Sequence, residues 1–365
     1  MLQTGAVSAR DKAGPPRPPD RAGMKNRAMG ISVALIREDA MRSIVKALVA
    51  AAVLWSGSAL AAETVRVGVL KFGTVNWELD AMKRNGIDAK HGVDVEIIPF
   101  AGEDATGIAL QGGSVDMIVT DWLWVSRQRA EGGSYVFAPY STSVGAIMVP
   151  GDSPVQTLAD LKGKTLGVAG GPLDKNWLLI QALALRDSQT DLSKDARIIY
   201  GAPPLLAEKA RSGELDAVLI FWNYAARLEA EGFRRLVSGE EAAKAFGASG
   251  PVATIGYVFD EAWAKEHADA ASGFVAASKE TKQLLKTSDA EWQALAPLVR
   301  ADDDATLQVM RDRYREGIPA RPVAEEEKDA ATLYGVLEGL AGEKLVGPGK
   351  VLDPGTYWSG LKNGS

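Results

Sequence analysis

Short apolar runs alternate along the chain with longer segments whose apolar residues recur every three or four positions. Apolar runs of about four to eight residues are typical of buried strands, whereas the longer spacing is typical of helices. Polar and glycine-rich turns separate the two kinds of segment. Outside the repeated stretches described next, strands are predicted at 65–70, 93–98, 135–140, 144–149, 163–169, 196–200, 233–237 and 255–259. This alternation predicts an α/β protein with mostly parallel sheets.

Two stretches one hundred positions apart share one pattern: Gly113–Gly132 and Gly213–Gly232. Gly, Asp, Trp, Arg and a closing Ala-Glu-Gly recur in register. In each copy an apolar run leads into a helical pattern, and Trp122 or Trp222 stands at the junction. A lone tryptophan there is most simply a core residue, but the carboxyl ends of strands are also where open α/β sheets bind ligands. The matched pair therefore predicts two similar lobes that face one another across a cleft.

Turns rich in proline and glycine are predicted to mark where the chain passes from one lobe to the other. The run 150–154, Pro-Gly-Asp-Ser-Pro, predicts the first crossing, and Gly247–Pro251 predicts the return. We therefore expect residues 62–149 to begin lobe 1, residues 150–251 to form lobe 2, and residues 252–365 to return to lobe 1. Helical segments at 302–315 and 325–340 are expected to cover the first lobe. The acidic run at 302–304 is better explained as a solvated helix start than as a cation site.

The first 61 residues have the features of an export signal preceded by an extension. Residues 1–40 show no sustained apolar period and are interpreted as disordered or as an over-long gene start. In residues 41–61, Arg42 and Lys46 precede nine apolar residues at 47–55, and cleavage is predicted after Ala61. A membrane anchor is the alternative, but a spanning helix needs about 20 residues. The expected location is the periplasm.

Composition narrows the chemistry. The chain has no Cys and two His among 365 residues. This composition disfavours a multi-histidine metal site and a Ser-His-Asp triad. No metal or cofactor is expected. Residues 62–365 hold 43 Asp or Glu against 32 Lys or Arg. This acidic balance disfavours nucleic-acid binding, which depends on clustered basic residues.

The sequence resembles a family of binding proteins. The resemblance lies in the signal peptide, the stretch Leu158–Val168, the paired Gly-x-x-Asp strands and Pro203-Pro204 before a helix. Together they are similar to the periplasmic substrate-binding proteins of nitrate/sulfonate/taurine-type ABC importers. The resemblance implies the two-lobe type II periplasmic binding protein fold, in which each lobe is a mostly parallel sheet flanked by helices and two hinge crossings join the lobes. It also implies a monomer that closes on one small molecule and delivers it to a membrane permease.

Carried onto this chain, the resemblance and the strand-end argument select the same turns. The expected ligand-binding residues are Phe72, Asn76, Trp77, Asp121, Trp122, Ser141, Ser143, Gly170, Gly171, Asp174, Lys175, Trp222, Asn223 and Tyr224. The glycine pair ahead of a helix exposes backbone N–H groups to an acceptor, although such glycines are also used for steric reasons alone. The aromatic residues offer flat faces to a ring or an alkylammonium. No Arg stands at these turns, and two Asp do, so a simple inorganic anion is disfavoured.

An enzyme on the same fold is the second hypothesis, similar in outline to menaquinone-pathway lyases or a pyrimidine synthase. Its chemistry would rest on Asp121 and Asp174 as an acid–base pair. The export signal, the absence of Cys and the distance of both His from the predicted turns count against it. The preferred function is non-catalytic capture of a sulfonate-, amine- or heteroaromatic-type molecule.

Overall fold

Residues 62–361 are described by a computed structural model, and their strands form two five-stranded sheets. The strands are β1 (Glu63–Leu70), β2 (Val93–Phe100), β3 (Met117–Asp121), β4 (Tyr135–Ser141), β5 (Ala146–Val149), β6 (Thr165–Val168), β7 (Arg197–Tyr200), β8 (Ala217–Ile220), β9 (Arg234–Ser238) and β10 (Ile255–Asp260).

The two sheets have the same plan. The first has the order β2-β1-β3-β10-β4 and the second β7-β6-β8-β5-β9. Strand β10 runs antiparallel between β3 and β4, and β5 runs antiparallel between β8 and β9, while the other paired strands are parallel. Each sheet therefore receives its antiparallel strand from a chain segment that has just crossed from the other sheet. This arrangement confirms the predicted two-lobe α/β fold.

Helices flank both sheets and continue to the end of the described chain. They are α1 (Val75–Arg84), α2 (Ile87–Lys90), α3 (Glu103–Gln111), α4 (Trp122–Ala130), α5 (Lys175–Ser188), α6 (Leu192–Asp195), α7 (Pro203–Arg211), α8 (Trp222–Ala230), α9 (Gly239–Ala245), α10 (Glu261–Glu266), α11 (Ala268–Thr287), α12 (Asp289–Val299), α13 (Asp304–Glu316), α14 (Val323–Ala341) and α15 (Glu343–Val346). Short 3₁₀ turns lie at Leu158–Leu161 and Ser359–Leu361.

The first crossing lies earlier than the sequence predicted. Ala146 of β5 pairs with Ile220 in the second sheet, so the chain changes lobe within residues 142–145 and not at 150–154. The proline- and glycine-rich run at 150–154 is instead a turn inside the second lobe. A Cβ on Gly151 would lie 2.5 Å from the carbonyl oxygen of Gly232, so this turn needs a glycine there. The true crossing carries no proline, which is why its signal was weaker than that of the turn. The return crossing lies within residues 246–254.

The C-terminal helices were expected to cover the first lobe, but they pack on both lobes. Helices α11 and α12 pack on α1 of the first lobe, but α13 packs on α8 and α14 packs on α5, both in the second. Neighbouring residues of α13 show how it joins the lobes. Arg313 Nε donates to Glu229 Oε2 in the second lobe at 2.9 Å, while the Tyr314 hydroxyl donates to Glu78 Oε2 in the first at 3.2 Å. The helical extension therefore bridges the cleft.

A buried ion pair lies inside the first lobe beneath this bridge. Lys282 Nζ lies 2.5 Å from Glu78 Oε2, and both side chains are nearly inaccessible to solvent. The hydroxyls of Tyr257 and Ser278 also donate to Glu78, at 2.9 and 2.6 Å. Burial lowers the pKa of Lys282 more than the neighbouring carboxylate raises it. Because a buried charge without partners is strongly destabilising, this network fixes α1 against α11.

The predicted extension at 1–40 and the signal peptide at 41–61 lie outside the described residues. Within residues 62–361, no helix is both long enough and apolar enough to cross a bilayer.

Candidate functional site

Two helices begin on opposite sides of the cleft, each with an aspartate as its N-cap. In the first lobe, Asp121 accepts a hydrogen bond from the backbone N–H of Trp124 at 2.8 Å and caps α4. In the second lobe, Asp174 accepts from the N–H of Trp177 at 2.9 Å and caps α5. Such side-chain caps satisfy N–H groups that a helix leaves free in its first turn. The two helix starts therefore present fixed polar groups to one another.

An ion pair joins the two helix starts across the lobes. Lys175 Nζ lies 2.9 Å from Asp121 Oδ2, and both side chains are mostly buried. Burial opposes the charge on each group, but the attraction between them and their hydrogen bond prevail. The pKa of Asp121 is lowered and the pKa of Lys175 is raised. Both groups are therefore charged at neutral pH, and both oxygens of Asp121 are engaged.

The ion pair also affects the pKa values of two further carboxyl groups. Burial raises the pKa of Asp174, and the charge of Asp121 adds to the effect. Burial and the Asp121 charge likewise raise the pKa of Glu103, although its side chain keeps contact with solvent. The surroundings of Lys175 are thus acidic, which agrees with the sequence-based argument against a simple anion.

A narrow pocket lies beside this ion pair, next to both crossings. It includes about 460 Å³ of unoccupied space, part of it open solvent. Its polar lining comes from both lobes and from the first crossing: Trp122, Thr142, Lys175, Asn176 and Glu240. Because both crossings line it, a relative movement of the lobes would change its size.

The rest of the pocket wall is apolar. Leu179 and Ala243 come from the second lobe, Val144 and Val252 from the two crossings, and Leu333 and Leu337 from α14. The two leucines of α14 are four residues apart and so lie on one face of that helix. A long C-terminal helix therefore closes one side of a pocket that the two lobes open between them.

A second contact between the lobes is formed by aromatic side chains. Trp77 at the start of α1 and Trp222 at the start of α8 meet edge to face, with ring centroids 5.8 Å apart. Trp292 and Tyr314 of the C-terminal helices complete the group, at 6.0 and 6.2 Å from Trp77. All four side chains are buried. We call this group the aromatic cluster.

Trp122 and Trp222, both expected to bind the ligand, lie in different surroundings. Trp122 belongs to a core that contains Trp177, and Trp222 belongs to the aromatic cluster. Trp222 meets Trp77 of the first lobe, and not Trp122. The cleft does bring strand-end tryptophans of the two lobes together, but in a different pairing.

The other predicted site residues divide between the pocket margin and structural positions. Ser141 and Ser143 flank the lining residue Thr142, and the Ser143 N–H donates to Ser141 Oγ at 3.1 Å. Gly170 and Gly171 have φ of +83° and +81°, which only glycine adopts readily. They form the turn before the Asp174 cap.

Several predicted residues do not reach the pocket. Asn76 donates to the carbonyl oxygens of Leu70 and Gly73, both at 2.8 Å, and so fixes the turn after β1. Phe72 is 75% exposed, and its ring lies beneath the Arg300 guanidinium at 4.8 Å. Tyr224 packs against the core of the second lobe, and Asn223 is half-buried beside it.

Sequence reasoning missed the α9 start, which brings Gly239 and Glu240 to the pocket. A signal was present, because Ser238 and Glu241 have the spacing of a capping box, and the structure shows that box. A Cβ on Gly239 would lie 2.0 Å from Asn176 Oδ1, so this glycine makes room for the amide that lines the pocket. Leu333 and Leu337 gave no such signal, since apolar residues four apart are typical of any packed helix.

Comparison with known proteins agrees with the two-lobe fold. The family model described as NMT1/THI5 like matches residues 82–289, more than half of the chain. The chain belongs to the NMT1/THI5-like family. No curated protein matches this NMT1/THI5-like chain in sequence.

Solved structures similar to this NMT1/THI5-like protein share its fold. The periplasmic aliphatic sulphonate binding protein SsuA from Escherichia coli is 21% identical with a TM-score of 0.64, covering 82% of this chain and 98% of its own. The alkanesulfonate-binding protein SsuA from Xanthomonas axonopodis pv. citri, bound to MOPS, is 18% identical with a TM-score of 0.60, covering 81% and 99%. An ABC transporter protein from Parabacteroides distasonis is 13% identical with a TM-score of 0.62, covering 80% and 98%.

Proposed function

We propose that this chain is the periplasmic solute-binding component of an ABC importer, which captures a small organic molecule by lobe closure and delivers it to a membrane permease. The observation that carries the proposal is the pocket itself. Helix starts from both lobes, both crossings and α14 line it, so its shape depends on how the lobes stand to one another. Hinge closure around a ligand is a common mode of capture by such two-lobe proteins.

The contacts across the cleft support closure. The Asp121–Lys175 pair and the Trp77–Trp222 contact both join the lobes. Breaking them would open the cleft, and a ligand that adds contacts in the pocket would favour the closed arrangement. The structural similarity to the two SsuA proteins supports an importer role and a small organic ligand. The predicted signal peptide supports the periplasm.

The enzyme hypothesis gains less support from the site. Both oxygens of Asp121 are committed, one to the cap of α4 and one to Lys175. A carboxylate held in this way is a poor proton shuttle, because its lowered pKa favours the ionised form. Asp174 also caps a helix. The arrangement suits binding better than acid–base catalysis.

Native mass spectrometry of the protein purified from its own periplasm tests the proposal. We expect one bound small molecule per chain, released on unfolding and recovered with its mass unchanged after incubation with fresh protein. A deletion strain should lose uptake of that molecule. Conversion of the molecule by the purified protein would contradict the proposal and favour the enzyme.

A further inference from the structure

One polar atom in the pocket wall has no partner. The indole nitrogen of Trp122 is buried and makes no hydrogen bond to any of the described residues. Trp122 itself is 1% exposed and lines the pocket. A buried N–H without an acceptor is costly and rare in folded proteins, so its persistence calls for a partner. Because Trp122 lines the pocket, a ligand bound there could supply that acceptor.

The charged groups of the pocket wall, by contrast, already have partners. Lys175 is paired with Asp121, and Glu240 is paired with Lys244 at 2.6 Å. A ligand with a net charge would lose water on entering and find no free counter-charge to replace it. An anion would also approach the acidic surroundings of Lys175. The electrostatics therefore favour a molecule without net charge.

The remaining wall sets the shape of the ligand. Leu179, Leu333 and Leu337 give the lining its apolar character, and Thr142 and Asn176 add residues with polar side chains. A molecule with a polar, accepting end and an apolar body would match both. Burial of that body stabilises the complex by the hydrophobic effect.

We propose that the pocket selects an uncharged small molecule whose hydrogen-bond acceptor meets the indole N–H of Trp122 and whose apolar body lies against Leu179, Leu333 and Leu337. The inference rests on the proposed function and specifies its ligand class. In this proposal Trp122 determines specificity by donating a hydrogen bond, in addition to offering its ring as an apolar surface.

Three probes with one carbon skeleton test the charge preference: pentanamide, pentanoate and pentylamine. We would titrate each into the purified protein at pH 7.5 by isothermal titration calorimetry. Pentanamide should bind at least tenfold more tightly than either charged probe. Equal or tighter binding of pentanoate or pentylammonium would overturn the inference.

The Trp122→Phe variant tests the donor. It keeps an aromatic ring and removes the N–H, so pentanamide should bind about fivefold more weakly, while the ligand-free protein should lose only the stability that a smaller buried ring costs. Trp292→Phe is the matched control, because the Trp292 indole N–H donates to the Leu285 carbonyl at 2.9 Å. That variant should melt earlier and bind pentanamide within twofold of the parent. Unchanged binding by Trp122→Phe would refute the role of the donor.

The co-purified molecule from native mass spectrometry gives an independent readout. An uncharged molecule whose affinity falls in Trp122→Phe supports the inference, also where none of the pentyl probes binds measurably. A molecule with a net charge overturns it and leaves the importer function intact. Conversion of that molecule into a product would instead contradict the proposed function.

Discussion

The two sides of the cleft begin from nearly the same sequence and end with different chemistry. On one side the apolar run of the first repeated stretch leads into Asp121 and Trp122, and on the other the run of the second leads into Phe221 and Trp222. Asp121 caps α4 and pairs with Lys175, and the indole of Trp122 stays without a partner beside a pocket. Phe221 provides no side-chain cap for α8, and Trp222 packs into the aromatic cluster.

The difference shows that a local repeat fixes the element and not the role of its residues. Both tryptophans occupy the first position of a helix that follows a buried strand. Their environments differ because Lys175 of α5 reaches one helix start, whereas the rings of Trp77 and Tyr314 contact Trp222 at the other. One side is thus suited to recognise a polar ligand, and the other to hold the lobes together by apolar contact.

The largest expected effect comes from breaking the aromatic side. Trp222→Ala removes a buried ring that contacts Trp77 and Tyr314, and should lower the free energy of unfolding by about 3–5 kcal/mol. The scattering radius of the ligand-free protein should also increase as the lobes separate. Urea denaturation and small-angle scattering measure the two. A variant as stable and compact as the parent would show that the cluster does not hold the cleft.

The next largest expected effect is the pH dependence of stability that a buried carboxyl group of α14 causes. Glu326 of α14 is 1% exposed and accepts from the N–H of Ala253 in the return crossing, and burial raises its pKa to about 7. Arg321 lowers this pKa and Asp329 raises it, but burial prevails. The folded protein then holds a proton that the unfolded chain releases near pH 4.5. Stability is therefore expected to fall as pH rises from about 4.5 to about 7.

Glu326→Gln removes this titration. The variant should match the parent near pH 4.5 and exceed it at pH 8 by up to about 3 kcal/mol, since each pKa unit corresponds to about 1.4 kcal/mol. Thermal unfolding across this pH range checks the difference. Glu325→Gln, at the exposed neighbouring position, is the control and should not alter the slope. A constant difference between Glu326→Gln and the parent at every pH would rule out the raised pKa.

Breaking the ion pair on the pocket side should have a smaller effect. Lys175→Met leaves the Asp121 carboxylate without its partner and should cost about 1–3 kcal/mol, below the value for a fully buried pair because both side chains keep some solvent contact. The folded pKa of Asp121 is lowered, so the contribution of the pair is present above the ordinary aspartate pKa and is lost as the pH falls below it. Urea denaturation at pH 7 and pH 3 should therefore show a difference from the parent that shrinks at pH 3. An undiminished difference at pH 3 would contradict the role of the charge.

The smallest expected effect is a difference in stability between variants that lack one or the other of two indole N–H groups. Trp122→Phe removes a donor without a partner, so its change in the free energy of unfolding should differ by less than about 0.5 kcal/mol from the packing change that the smaller ring causes. Trp292→Phe removes a donor that is hydrogen-bonded and should cost about 1 kcal/mol in addition to any packing change. Chemical denaturation of both ligand-free variants measures the contrast. Equal losses would mean that Trp122 has a partner after all.

Much of this architecture follows from the sequence because its signals are local. The helices expected at 302–315 and 325–340 are found at Asp304–Glu316 and Val323–Ala341, since apolar residues at helical spacing mark both. The strands before Trp122 and Trp222 were recognisable from their buried apolar runs. The first crossing was not, because a proline-rich turn inside a lobe gives a stronger local signal than the crossing itself.

The sequence by itself determined an α/β chain with two similar halves and polar or aromatic residues at its strand ends, because strand and helix periodicity depend on near neighbours. Only the tertiary structure decided which tryptophan packs and which lines a pocket, and that Lys175 meets Asp121. Those outcomes depend on contacts between residues more than fifty positions apart. Such contacts follow from the packing of the C-terminal helices on both lobes and of the lobes on one another, which no local pattern records.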